Sequence, residues 1–175
     1  MDVAAAVGLL EPHLRPERLP LRDGVTQLDT KPYNTADGFS PIVPILVHFG
    51  VDVDLYGHVN NVKYFEYFQE ARIRYLMRIF DVGGPGERAV PLVIAQMDVD
   101  YRVPILFRPE PYDVHSWVSS VGNSSFVIES EIRDGGTLLS RARVVAVTFD
   151  AAAQKATPAP AAHRAALLAE LARTS

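Results

Sequence analysis

Residues 52–61 read DVDLYGHVNN, between an apolar run, IVPILVHF (42–49), and an aromatic-rich one, VKYFEYF (62–68). Two acids, a glycine, a histidine and two asparagines at one junction mark the place where a strand gives way to a helix. Asn60 or Asn61 can supply the N-cap, because a short side-chain oxygen satisfies an otherwise unpaired amide at a helix start. From there the pattern predicts a helix over 61–80, stopped by GGPG (83–86), since glycine takes the left-handed conformation and proline cannot continue a helix. Val62, Tyr64, Phe65, Tyr67, Phe68, Ala71, Ile73, Leu76, Met77 and Ile79 leave this helix apolar around most of its circumference, so we expect burial on more than one side. Lys63, Glu66, Glu70 and Arg74, spaced by three, four and four, share one narrow polar stripe.

Working outward, residues 42–49 read as a strand, with Pro44 placing it at an edge or early strand position. Four more runs alternate with strand period: 92–103, 112–121, 124–133 and 137–149. In the first, Val93, Ala95, Met97, Val99, Tyr101 and Val103 are expected on one face, opposite Gln96, Asp98 and Asp100. RPEP (108–111), GN (122–123) and DGG (134–136) separate the runs as turns, which predicts four antiparallel neighbours. The order strand, helix, four strands gives an α+β class, one long helix wrapped by one curved antiparallel sheet. Residues 1–41 read as an N-terminal extension, rich in proline and turn formers (KPYNTADGFSP, 31–41), with a short helix or frayed tail at VAAAVGLL (3–10). Residues 42–150 form the domain. Residues 151–175 read as a linker, AAAQKATPAPAA, and a short helix, HRAALLAELA (163–172), with Leu167, Leu168 and Leu171 on one side.

Composition narrows the function. The chain has 175 residues, a formal net charge of −4 and no cysteine. Thiol nucleophiles, thiolate metal sites and disulfides are excluded, and the absence of cysteine fits a reducing compartment. No clustered positive charge speaks for nucleic acid, and no apolar run reaches membrane-spanning length. Asp2 stands where a secretory signal would carry a basic flank, so we expect a cytoplasmic protein. His13, His48, His115 and His163 form no metal-ligand spacing, and Asp98 with Asp100 reads as a solvated strand face. Ser124 and Ser125 lie in GNSSF, which is not a nucleophile elbow.

DVDLYGHVNN at a strand-to-helix junction, followed by EYFQEARIRYL (66–76), DYRVP (100–104) and VGNSSFVIESEI (121–132), resembles the hotdog-fold thioesterases of the 4-hydroxybenzoyl-CoA thioesterase type. The resemblance covers roughly residues 42–150. It implies a hotdog fold and hydrolysis of an acyl-CoA or acyl carrier protein thioester without a cofactor, in a homodimer or homotetramer. It also implies Asp54 as the catalytic carboxylate, either general base or nucleophile, with His58 assisting. Glu70 lies where one branch of the family places an essential helix acid, and Tyr56 stands where another has an asparagine. One branch grips the CoA phosphates with basic residues at a turn that here reads Gly122, Asn123 and Ser124, which implies that either the phosphate contacts or the acyl carrier differ in this chain.

The residue types suit that chemistry. Amides at the start of a buried helix stabilise a developing oxyanion, and those of Gly57, His58 and Val59 are the expected donors. Gly57 permits close backbone approach. Tyr56, Asn60, Asn61 and Tyr64 are expected to contact substrate, although both asparagines also read as caps. Asp52 reads as a turn or capping acid. Glu70 also fits an ion pair with Arg74 one turn on. A competing function is a non-catalytic acyl-CoA sensor, which would bind thioester without turnover.

Overall fold

The computed structural model describes residues 42–47, 50–80 and 91–174. The expected N-terminal extension, the end of the first strand at 48–49 and the GGPG stop lie outside the described residues. The elements run β1 (Ile42–Ile45), α1 (Asn61–Ile79), β2 (Leu92–Tyr101), β3 (Tyr112–Val121), β4 (Ser125–Asp134), β5 (Thr137–Asp150), β6 (Lys155–Ala156) and α2 (Ala161–Thr174). All strand pairings are antiparallel, in the order β1-β3-β4-β5-β2, with β6 added to β5.

Two tight turns do what their sequences dictate. Gly122 donates its amide to the Ser125 carbonyl at 2.7 Å, and Gly135 takes φ +55° between β4 and β5. β2 departs from the expectation of four sequential neighbours. It lies at the far edge against β5, while β3 pairs with β1. The cause is the connection 102–111, which is too long for a hairpin turn. It crosses instead, burying Ile105 completely and tying back to the junction, where the Val59 amide donates to the Ile105 carbonyl at 2.8 Å and His58 bridges Leu106.

A second correction concerns the face of β2. The register against β5 shifts between Ile94 and Gln96, so a bulge at Ala95 reverses the alternation. Ile94, Met97, Val99 and Tyr101 oppose Ala146, Val144, Ala142 and Ser140, whereas Val93 opposes Val147 on the other face. Asp98 and Asp100 oppose Arg143 and Arg141, which in turn oppose Glu129 and Glu131. Opposite charges thus alternate across the outer face of three strands.

The inner face carries the core in two clusters. The first joins Val43, Ile45, Tyr64, Tyr67, Phe68, Ala71, Ile105, Val114 and Ile132. The second joins Tyr75, Leu76, Val118, Phe126, Ile128, Ala146 and Leu167, with Leu171 packed against it. The C-terminal helix therefore does not hang off the domain: Leu167 is 1% exposed, while Leu168 points out at 40%. Helix α1 buries Tyr64, Tyr67, Phe68, Ala71, Arg72, Tyr75 and Leu76, a single stripe at helical spacing. Val62, Phe65, Ile73 and Met77 remain exposed, so within one chain the helix is covered on one side only. Arg72 is buried in that stripe with its Nη1 against the Met97 sulfur at 3.9 Å, and burial pulls its pKa down.

Candidate active site

The junction 52–61 forms a small hairpin on the end of α1. The Asn60 amide donates to the Asp52 carbonyl at 2.7 Å, Val53 bridges Val59, and the Asp54 amide donates to the His58 carbonyl at 2.8 Å. The Gly57 amide closes the tip on the Asp54 carbonyl at 3.1 Å, with Gly57 at φ +80°. Asn60 caps the helix, its side chain accepting from the Val62 amide at 3.1 Å.

Asp54 sits in this turn as an acceptor. Its Oδ1 receives the amides of Tyr56 at 2.8 Å and His58 at 3.1 Å. Its Oδ2 accepts from no described group. One oxygen is therefore fixed by the hairpin backbone, and the other has no partner among the described residues.

A cleft of about 490 Å³ opens beside it, lined on the junction side by Asp54, His58, Val59, Asn60, Asn61 and Tyr64. The opposite wall is Tyr101, Arg102, Val103 and Pro104, from the end of β2 and the crossing segment. The two walls are joined by Tyr101, whose hydroxyl donates to the Asn61 carbonyl at 3.2 Å and whose ring meets Tyr64 edge to face at 4.9 Å. Tyr64 accepts the Ile105 amide on its hydroxyl at 3.0 Å, and burial raises its pKa. Arg102 pairs with Asp100 at 2.8 Å.

Of the expected site residues, Asp54, His58, Asn60, Asn61 and Tyr64 meet at this one cleft. Three other groups expected at the site are engaged or placed elsewhere. The amides of Gly57, His58 and Val59 are each committed inside the chain, to the Asp54 carbonyl, Asp54 Oδ1 and the Ile105 carbonyl, and are not open to an oxyanion. The first helical amide, that of Asn61, has no acceptor among the described residues. Tyr56 is 81% exposed at the hairpin tip and does not line the cleft. Glu70 lies on the polar stripe of α1, outside the cleft lining, and pairs with Arg74 at 2.7 Å.

Asp52 is more than a turn acid. It is 4% exposed, and its Oδ2 accepts the Tyr67 hydroxyl at 2.8 Å while Lys63 Nζ stands 3.5 Å from its Oδ1. Burial and this carboxylate together push the Tyr67 phenol far up, so it holds its proton and donates. Lys63 is raised through its bond to Glu66 at 2.7 Å.

The part of the cleft wall missed in sequence reading, Arg102 to Pro104, comes from DYRVP. That stretch carried part of the family resemblance but offered no chemistry of its own until the crossing segment brought it to the helix start. Among the described residues no cluster of three or more His, Cys, Asp or Glu could hold a metal ion, and no helix is long and apolar enough to cross a membrane.

Residues 47–167 match the profile of the Thioesterase-like superfamily. The chain belongs to the Thioesterase-like superfamily. Among solved structures, it is 32% identical to a Thermus thermophilus thioesterase complexed with coenzyme A and Zn, over 77% of this chain and 96% of that one, with a TM-score of 0.64. It is 34% identical to a Xanthomonas campestris protein whose name, acyl-CoA thioesterase, is provisional, over 67% and 97% of the two chains, with a TM-score of 0.56. A Bacillus stearothermophilus structure, named as a predicted thioesterase, is 25% identical over 74% and 95%, with a TM-score of 0.64. No curated protein matches the chain. The superfamily match extends through the first half of α2, into residues whose composition reads as a linker and short helix. The antiparallel sheet with its helices fits a hotdog fold of this superfamily.

Proposed function

We propose that the protein hydrolyses an acyl-CoA thioester, with Asp54 as the reactive carboxylate. The observation that carries this reading is the division of labour within Asp54. Oδ1 is held by two backbone amides, and Oδ2 is left open on a residue lining the cleft at the helix start. A carboxylate oriented by its own turn is suited to abstract a proton from water or to attack the acyl carbon directly. In the hydrolytic balance, an oxygen–carbon bond forms at the carbonyl, the carbon–sulfur bond breaks, and the thiolate leaves with the CoA. With the hairpin amides committed, the Asn61 amide takes the oxyanion role in this reading, aided by the positive end of α1. His58, Asn60 and Tyr64 surround the acyl carbonyl, and Tyr101 and Val103 continue the wall.

The same reading places the protein with the 4-hydroxybenzoyl-CoA thioesterase type and makes CoA, not a carrier protein, the thiol. Similarity to a thioesterase that binds coenzyme A supports that choice. It also treats α1 as the central helix of a homodimer. The edge of β2, unpaired among the described residues and with Val93 and Ile94 exposed, and the exposed helix residues Phe65, Ile73 and Met77 give a second copy an apolar surface to cover.

The test is turnover across a panel of short, long and aromatic acyl-CoAs by wild type and by Asp54→Asn. Asparagine keeps an acceptor for the two amides but cannot take a proton or form an acyl anhydride. Hydrolysis lost in the variant supports the reading. Undiminished hydrolysis in the variant refutes the role of Asp54. Tight acyl-CoA binding without turnover by wild type would establish the sensor instead.

A further inference from the structure

We propose that Asp52, Tyr67 and Lys63 form a clamp, buried at Asp52 and Tyr67, that helps fix the angle of the Asp54 hairpin on helix α1, which makes Asp52 and Tyr67 positioning residues for thioester hydrolysis. The inference rests on the reading of Asp54 as the reactive group and adds what holds that group in place.

On its far side the hairpin is tied to the crossing segment, through the Val59 amide on the Ile105 carbonyl at 2.8 Å and the bridge from His58 to Leu106, with Val59 buried in the core. At its tip Leu55 and Tyr56 are 94% and 81% exposed, so no packing secures that end. Its internal bonds, Asp54 to His58, Gly57 to Asp54 and Asn60 to Asp52, fix its shape but not its tilt against the helix. Its side-chain tie to the body of the helix is made at the base, where the buried Asp52 carboxylate reaches two helix residues one turn apart, Tyr67 at 2.8 Å and Lys63 at 3.5 Å. Through the Asn60 amide on its carbonyl, Asp52 also ties to the residue that caps the helix. One residue thus links the strand side of the hairpin, the cap and the first two turns of α1. The distance between Asp54 Oδ2 and the Asn61 amide depends on that tilt. A misplacement of about 1 Å at a reacting group costs roughly a hundredfold in rate, so a clamp remote from the substrate governs catalysis by geometry alone.

Helix α1 supplies an internal control. Tyr75 donates to Glu170, another buried carboxylate, at 3.1 Å, but this pair ties α1 to α2 and touches no part of the hairpin. Tyr67→Phe and Tyr75→Phe delete the same hydroxyl from the same helix. We expect both to lower Tm, and only Tyr67→Phe to lower kcat, by about tenfold or more, with KM within twofold of wild type. Asp52→Asn, which keeps an acceptor for Tyr67, should retain more activity than Asp52→Ala. Hydrogen exchange gives a readout independent of turnover: Tyr67→Phe should speed exchange of the Asp54, Gly57 and His58 amides at least tenfold, and Tyr75→Phe should not.

Unchanged kcat and unchanged hairpin exchange in Tyr67→Phe would overturn the clamp, as would an equal kcat loss in Tyr75→Phe. A rise in KM alone would assign Tyr67 to substrate contact and also overturn it. Should Tyr67→Phe fail to fold, Lys63→Met removes the peripheral arm, and the same split between exchange at the hairpin and stability elsewhere decides the matter. If wild type hydrolyses no thioester, the functional reading fails while the exchange experiment still judges the clamp.

Discussion

Tyr67 and Tyr75 stand about two turns apart on one helix, and each donates its hydroxyl to a buried carboxylate. Their surroundings differ. The half of α1 that carries Tyr67 packs in a cluster reaching β1 and the crossing segment, and above it sits a hairpin with exposed tips and a cleft. The half that carries Tyr75 packs against β3, β4 and α2, where Leu167 and Leu171 close the surface. The same pair of groups therefore serves two ends. Near the cap it orients a loop that remains open to solvent, and further along it joins two packed helices. A buried tyrosine–carboxylate bond does not announce a site; what it is fastened to decides its consequence.

The sharpest way to break the comparison is to damage each half where it should matter most. Asp54→Asn should lower kcat by about 10²–10⁴-fold, the range expected for a lost general base, and leave Tm nearly unchanged because the two amide bonds to the side chain persist. Leu167→Ala, in the other half, should cost about 2–5 kcal/mol of stability and leave kcat intact below the unfolding transition. Steady-state kinetics beside thermal melts on the two variants would show the inversion. A loss of kcat in Leu167→Ala at a temperature where it is fully folded would mean that the halves are coupled.

Both halves were visible in the sequence to different degrees. The helix and the hairpins at GN and DGG follow from local rules: caps, glycines and period; Asp54 and His58 as site residues came from the family resemblance, and they line one cleft with Asn60, Asn61 and Tyr64. What the sequence did not disclose was set by distant partners. The place of β2 depends on where residues 102–111 travel, and its face depends on one extra residue at Ala95. The amides of Gly57 and His58 are taken up by Asp54 and that of Val59 by Ile105, which no spacing argument anticipates, so the donors expected for an oxyanion are engaged inside the chain. Asp52 reads as a capping acid in the chain because Tyr67, which makes it a buried anchor, is fifteen residues away in sequence.

Alkaline pH tests the shared feature of the halves. Burial, first of all, and then the neighbouring carboxylate raise both phenols well above the usual tyrosine value of about 10. The folded state therefore keeps protons that the unfolded state gives up. The corresponding stability is fully present below about pH 10 and falls as pH rises beyond it, by up to about 1.4 kcal/mol per pH unit for each tyrosine. Tyr67→Phe and Tyr75→Phe should each flatten the alkaline limb of a denaturant-midpoint profile to a similar extent, unlike their effects on kcat. A limb as steep in both variants as in wild type would contradict these shifts.

Gly57→Ala sharpens the contrast on the hairpin side. At φ +80° an added Cβ meets nothing within 4 Å, so the cost is conformational, about 1–2 kcal/mol. Since Gly57 closes the turn that presents Asp54, kcat should fall along with stability, as kinetics and denaturant unfolding of the same preparation would show. A loss of stability with full activity would mean that the turn can shift without moving Oδ2.

The smallest effect should come from the cap. Asn60→Ala removes the acceptor of the Val62 amide and should cost about 1 kcal/mol, measured as a shift in denaturant midpoint at constant slope. Its backbone amide remains, so the bond from residue 60 to the Asp52 carbonyl, and with it the base of the hairpin, survives. Asn60→Asp restores a capping oxygen and should recover the stability, but it adds a negative charge to the cleft beside Asp54. If the cap only stabilises the helix, alanine leaves kcat nearly unchanged while aspartate lowers kcat/KM for an anionic acyl-CoA. If alanine alone reduces kcat severalfold at full folding, the side-chain amide of Asn60 itself contacts the reacting acyl group, and the cap belongs to the chemistry of its half of the helix.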